Sequence, residues 1–207
     1  MTNRVASTGL PRRGFLAGTI ATLAFAAGLK FPTEARADAA AEAFVKKVGG
    51  QVLNVAKNGG SKASKSQQIQ KLLASHADVP ALAVFSLGQF AKQLPSSRRT
   101  EYYNLVKRYI ARMFVNHSDS LAGDSLQIDS SRDVSAKEAL VRSKVTFANG
   151  RTLPVVWRLS KRGGYKVFDV NIDGVWLAIQ QRSEFVSIIN SNNGDVNALI
   201  DHLKQVS

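Results

Sequence analysis

Asp169 and Asp173, in the segment FDVNIDG, have the spacing closest to a working carboxylate pair, one member acting as general acid and the other as base. On a strand, positions i and i+4 lie roughly 13 Å apart. Glycosidase pairs are separated by only about 5–9.5 Å. A bend before Gly174 would shorten the gap, but an Asp-Gly pair reads first as a turn. Asp169 therefore reads as a structural hydrogen-bond acceptor. His76, His117 and His202 form no HxH or HxxxH pair, and the chain has no cysteine. Thiolate nucleophiles, disulfides and cysteine-based zinc sites are thereby excluded, and no metal centre or cofactor is expected. His117, in NHSD, reads as a helix C-terminal cap. No GxSxG elbow or phosphate-binding loop occurs, and Gly59-Gly60 and Gly163-Gly164 read as linker and turn. These residues do not look like those of an enzyme.

The 207 residues include 44% hydrophobic and 21% charged side chains, which excludes wholesale disorder and suits one domain. The amino terminus must be set apart first. Arg12-Arg13-Gly14-Phe15-Leu16 resembles the twin-arginine export signal, and a sixteen-residue apolar stretch runs from Gly14 to Leu29. That is shorter than the roughly 18 or more residues of a spanning helix. Ala35-Arg36-Ala37 supplies small residues where a signal peptidase reads them. Residues 1–37 are expected to be a cleaved signal peptide, and residues 38–207 a single periplasmic domain. That compartment lacks ATP, so nucleotide-driven functions drop out. The signal carries a net +4 of the +13, leaving +9 on residues 38–207. Nucleic acid is a poor periplasmic partner, which leaves anionic lipid surfaces, acidic proteins or a merely basic, soluble surface.

The elements that would position any site follow from periodicity. Asp38 can cap a helix over 38–56 with Ala41, Phe44, Val45, Val48, Val52 and Val55 on one stripe, weakened at Gly49-Gly50. KNGGSKASKS (57–66) reads as a polar linker. A short helix with Ile69, Leu72 and Leu73 follows, then one opened by Asp78-Val79-Pro80 and ended or bent at Gly88. Pro95-Ser96 opens a helix with Tyr102, Leu105, Val106, Tyr109, Ile110 and Met113 at spacings of three and four. From Ser125 the period becomes two, giving strands over 125–132, 137–147, 152–160 and 165–172. Ala139, Val141, Ser143, Val145 and Phe147 share one face of their strand, as do Leu153, Val155, Trp157 and Leu159. Phe168, Val170 and Ile172 are expected to share a face of the last. Asn149-Gly150 and Gly163-Gly164 make the turns, and helical spacing returns with Phe185, Ile188, Ile189, Leu199, Ile200 and Leu203. The order predicts an α+β fold: a curved four-stranded antiparallel sheet with helices packed on one face, its interior either a filled core or an apolar pocket.

The stretch Tyr165–Phe185, YKVFDVNIDGVWLAIQQRSEF, resembles the MlaC, or toluene-tolerance, family, where the corresponding run has the sense W-K-V-Y-D-V-x-V-E-G-V-S-L-x-x-N-Y-R-S-Q-F. Lys166, Val167, Asp169, Val170, Gly174, Val175, Leu177, Arg182, Ser183 and Phe185 match. Leu87-Gly88, the helix with Tyr102 and Tyr109, and Gly194-Asp195 leading to Leu199-Ile200 are similar to further family features. Trp176 stands in place of a small Ser, Gln181 in place of Tyr, and Phe90-Ala91 where a Trp is common.

The resemblance implies an NTF2-like, MlaC-like fold with an apolar lipid pocket and a soluble phospholipid carrier. Such a carrier would work with an inner-membrane MCE-domain protein of a lipid ABC transporter and an outer-membrane lipoprotein complex. Candidate pocket residues are Phe85, Val106, Tyr109, Ile110 and Met113 on helices, with Val141, Val145, Val155, Trp157, Phe168, Val170 and Trp176 on or beside the sheet. The expected tunnel lies between the sheet's apolar face and the Val106–Met113 helix. Trp176 also motivates a hopanoid or another polycyclic cargo. An isomerase- or dehydratase-like enzyme with the same cone-shaped fold would have to use Asp169.

Overall fold

The computed structural model describes residues 39–207, so the expected cap Asp38 and the expected signal segment 1–37 lie outside the described residues. Helix α1 (Ala39–Asn58) buries Ala41, Val45, Val48 and Val55, the stripe read from the sequence. It runs unbroken through Gly49-Gly50 because it lies against the sheet there. A Cβ on Gly49 would sit 2.4 Å from Leu126 Cδ2 and 3.3 Å from Trp157 Cζ2. A side chain at position 49 would have to displace Leu126 and would crowd the Trp157 ring.

The expected polar linker is much shorter than 57–66. Ser61 caps α2 (Lys62–His76) by accepting from the Ser64 N–H at 3.2 Å, so only residues 59–61 remain between the helices. Asp78 caps α3 (Val79–Ser86), which has Pro80 in its first turn. Gly88, at φ +56°, then turns the chain into a 3-10 segment, Gly88–Gln93. A second short 3-10 turn, Ser96–Arg98, leads into α4 (Arg99–Asn116). His117 closes α4 as expected, donating its backbone N–H to Phe114 O, and α5 (Ser118–Leu121) follows.

The sheet has five strands, not four: β1 (Ser125–Ser135), β2 (Glu138–Thr146), β3 (Thr152–Ser160), β4 (Lys166–Ile172) and β5 (Val175–Trp176). They pair in sequence order, each antiparallel to the next. Asp173 and Gly174, at φ +49° and +89°, form the two-residue reversal that folds β5 back on β4. Two residues are too few to register as a period of two, which is why this strand was not legible. Helices α6 (Leu177–Ser191) and α7 (Val196–Val206) complete the chain, the latter capped by Asp195.

Ala139, Val141, Ser143 and Val145 on β2 and Val155, Trp157 and Leu159 on β3 are buried on one face, as their alternation required. On β4 the expectation fails. The register slips between Arg158 and Leu159, so Val170 faces Trp157's side while Asp169 stands opposite Arg158. Phe168 is the extra residue of this bulge and turns to the Arg158 side, where the guanidinium lies 5.7 Å from its ring. Phe168 and Val170 therefore do not share a face.

Two cores result. Helix α1 packs Ala41, Val45 and Val48 against Val141, Val145, Val155, Trp157 and Leu159. The other is helical, with Leu87, Tyr102, Leu105, Val106, Phe185 and Leu199 among its members. The helices accordingly do not all gather on one face. Helix α1 covers the Trp157 side, whereas α3 and α6 meet β4 on the Phe168–Asp169 side.

Candidate functional site

The twelve candidate pocket residues fall into separate groups. Val141, Val145, Val155 and Trp157 line the sheet–α1 core, with Val170 packed against it. The Trp157 indole N–H donates to Ser143 Oγ at 2.9 Å, and that hydroxyl donates to Val155 O at 3.1 Å. This relay satisfies the polar edge of a ring that is 7% exposed. Val106 and Tyr109 belong to the helical core, Ile110 packs against it, and Met113 is 40% exposed. Helix α4 buries its stripe in the helical core, and the apolar face of β2 and β3 packs against α1. Periodicity identified both apolar stripes but carries no information about which stripe meets which.

Phe85 on α3 and Phe168 on β4 meet on the face of the sheet opposite α1. Their rings meet edge to face at 5.7 Å, and the Arg182 guanidinium lies 5.2 Å from the Phe85 ring. With Arg158 beyond Phe168, a cation–aromatic–aromatic–cation series spans α6, α3, β4 and β3. Trp176 is half-buried on β5, paired with Asn171.

Asp169 is 4% exposed and is held as a structural acceptor. Its Oδ1 accepts from the Val170 N–H at 2.7 Å and the Ala178 N–H at 2.9 Å, tying β4 to the first turn of α6. Burial pushes its pKa up, while the two N–H groups and Arg158 pull it back. Asp173 is exposed in the turn, so the two carboxylates are not a pair facing one cavity.

Tyr109 carries a feature that the sequence did not reveal. Its ring packs edge-on against Phe185 at 5.7 Å, and its hydroxyl donates to Glu184 Oε1 at 2.9 Å. Gln181 donates to the other carboxylate oxygen at 3.1 Å. Burial, reinforced by Glu184, raises the Tyr109 pKa to about 12, so the hydroxyl remains a donor at neutral pH. The set latches α4 to α6. The i,i+3 spacing of Gln181 and Glu184 was visible, but their shared partner was not.

Two clefts, of about 390 and 300 Å³, open on the described residues between α2 and α4. None of the twelve candidates lines either one.

The model of the MlaC protein family matches residues 46–205. The chain belongs to the MlaC family. Among solved structures it is similar to a phospholipid-binding protein from Ralstonia solanacearum, determined in complex with a phospholipid. The two share 25% identity at a TM-score of 0.69, over 82% of this chain and 96% of that one. No curated protein matches. The MlaC match covers the whole buried helical core and the Tyr165–Phe185 run on which the resemblance first rested.

Proposed function

We propose that this chain is a periplasmic phospholipid carrier, exported by its twin-arginine signal, that shuttles lipid between outer and inner membrane in an Mla-type ABC transport system. Its partners on this reading are the MCE-domain protein of the inner-membrane transporter and an outer-membrane lipoprotein complex. The observation that carries the reading is the likeness, over 82% of this chain, to a protein solved in complex with a phospholipid.

The physics is coherent. Roughly 30 tail methylenes at about 0.8 kcal/mol each keep a two-tailed lipid out of water. A carrier must therefore offer an interior nearly equivalent to the bilayer. On this reading tails enter by parting α3 from β4 at the Phe85–Phe168 contact. Half-buried Phe85, Phe168, Ile110 and Trp176 then become wall, with the headgroup left outside. Asp169 has no part in chemistry on this reading, since one of its oxygens is committed to two backbone N–H groups.

The test is organic extraction of the purified mature protein followed by mass spectrometry. Stoichiometric phospholipid is the expected result. Lipid-free protein that also fails to take phospholipid from vesicles would reject the carrier. A polycyclic lipid would keep the carrier and change the cargo.

A further inference from the structure

We propose that the groove between α2 and α4 is a docking surface for an acidic, extended segment of a partner protein. Its two clefts share Gln70 and form one track. Lys62, Arg108 and Arg112 line one part, and Lys71 and Lys107 the other. Among the described residues, none of these five cations has a carboxylate within ion-pair distance, whereas three cations on or beside the sheet do. There Lys144 meets Asp129, Arg158 meets Glu138 and Lys161 meets Asp133, at 2.8–3.5 Å. The sequence explains the difference. Helix α2 contains no acidic residue, and the only one in α4, Glu101, is engaged by Arg98 and Lys204 at 3.1 and 2.9 Å. Five positive charges without an ion-pair partner among the described residues thus line one concave track, where together they favour an anionic occupant.

Shape and chemistry select a protein segment over a membrane. A lipid surface is met by protruding apolar and aromatic side chains. The apolar residues lining the groove are Ala63, Ala74 and Val115, and the surface is concave. Gln67, Gln70 and Asn116 supply amide donors and acceptors that fit a peptide backbone, as carboxylates on the segment fit the cations. Arg112 already donates to one backbone carbonyl, that of Val206, at 2.8 Å. The inference does not depend on lipid binding, because no candidate pocket residue lines the groove.

The test uses the mature protein and a fluorescein-labelled oligo-glutamate decapeptide, read by fluorescence anisotropy at two salt concentrations. Vesicles of phosphatidylglycerol and phosphatidylcholine are assayed in parallel by co-sedimentation. The expected result is peptide binding that weakens with salt and falls about tenfold or more in Lys71→Glu/Arg108→Glu. A control with the same charge change, Lys137→Glu/Arg162→Glu in the sheet turns, should keep most of the affinity. Lys71→Gln/Arg108→Gln should show an intermediate loss, separating charge from any effect of reversal on folding. Absent peptide binding, or equal loss in the groove and control doubles, overturns the proposal. Vesicle binding that only the groove double abolishes, with peptide binding unaffected, assigns the surface to a membrane instead. Phospholipid content is unchanged in every variant, so failure here is distinguishable from failure of the carrier reading.

Discussion

Trp157→Ala tests directly whether the sheet–α1 layer is a packed interior that lipid can replace. The indole is 7% exposed, lies under the bare Cα of Gly49 and donates to Ser143. A buried tryptophan removes about 150–250 Å² from water, worth roughly 4–6 kcal/mol at about 25 cal/mol per Å². Measured truncations of this kind cost about 3–5 kcal/mol, because the cavity relaxes only in part. Losing the bond to Ser143 leaves that hydroxyl its bond to Val155 O, so this component adds little. For a domain of this size, about 3–5 kcal/mol corresponds to a fall in Tm of roughly 6–20 °C. The assay is thermal and denaturant unfolding of delipidated protein, repeated after loading with phospholipid. Full destabilisation without lipid and partial recovery with it is the expected pattern, since a tail can fill the space that the indole vacates. A loss below about 1 kcal/mol without lipid would refute the packed-layer argument. An equal loss with and without lipid would place the tails elsewhere.

Gly49→Val should lower stability by about 1–3 kcal/mol, measured by denaturant unfolding, because its Cβ would meet Leu126 Cδ2 at 2.4 Å. Gly50→Ala, with nothing within 4 Å of its added Cβ, should be tolerated. Tyr109→Phe keeps the contact with Phe185 but removes the donor to Glu184, costing about 1 kcal/mol and quickening amide exchange where α4 meets α6. Asp169→Asn should cost about 1 kcal/mol at neutral pH while leaving phospholipid binding measurable. Because the folded-state pKa of Asp169 is raised, its protonation linkage contributes stability below the ordinary carboxylate pKa. This contribution is lost as pH rises through the raised value. The Tm gap between wild type and Asp169→Asn should therefore widen on acidification, and a gap that narrows would contradict the burial argument. Arg12→Lys with Arg13→Lys should hold the precursor in the cytoplasm, as followed by fractionation, and normal periplasmic accumulation would reject twin-arginine export.

Local interactions made much of this protein readable from its residues. The α1 stripe, the Asp78-Pro80 helix start, the His117 cap, the alternation on β2 and β3 and the structural role of Asp169 each depend on neighbours a few residues away or on burial of one face. Residue types also located the family, through the run from Tyr165 to Phe185. Tertiary structure decided the rest. Whether α4 faces the sheet or the other helices depends on competition between similar apolar stripes, and α1 takes the sheet because Gly49 lets it approach Trp157 and Leu126. The bulge that turns Phe168 away from Val170 is a register effect between β3 and β4, and a single strand's alternation cannot encode it. Likewise, lysines and arginines on α2 and α4 read singly as solvated charge. Only the packing of those helices gathers them along one groove and leaves the carboxylates elsewhere.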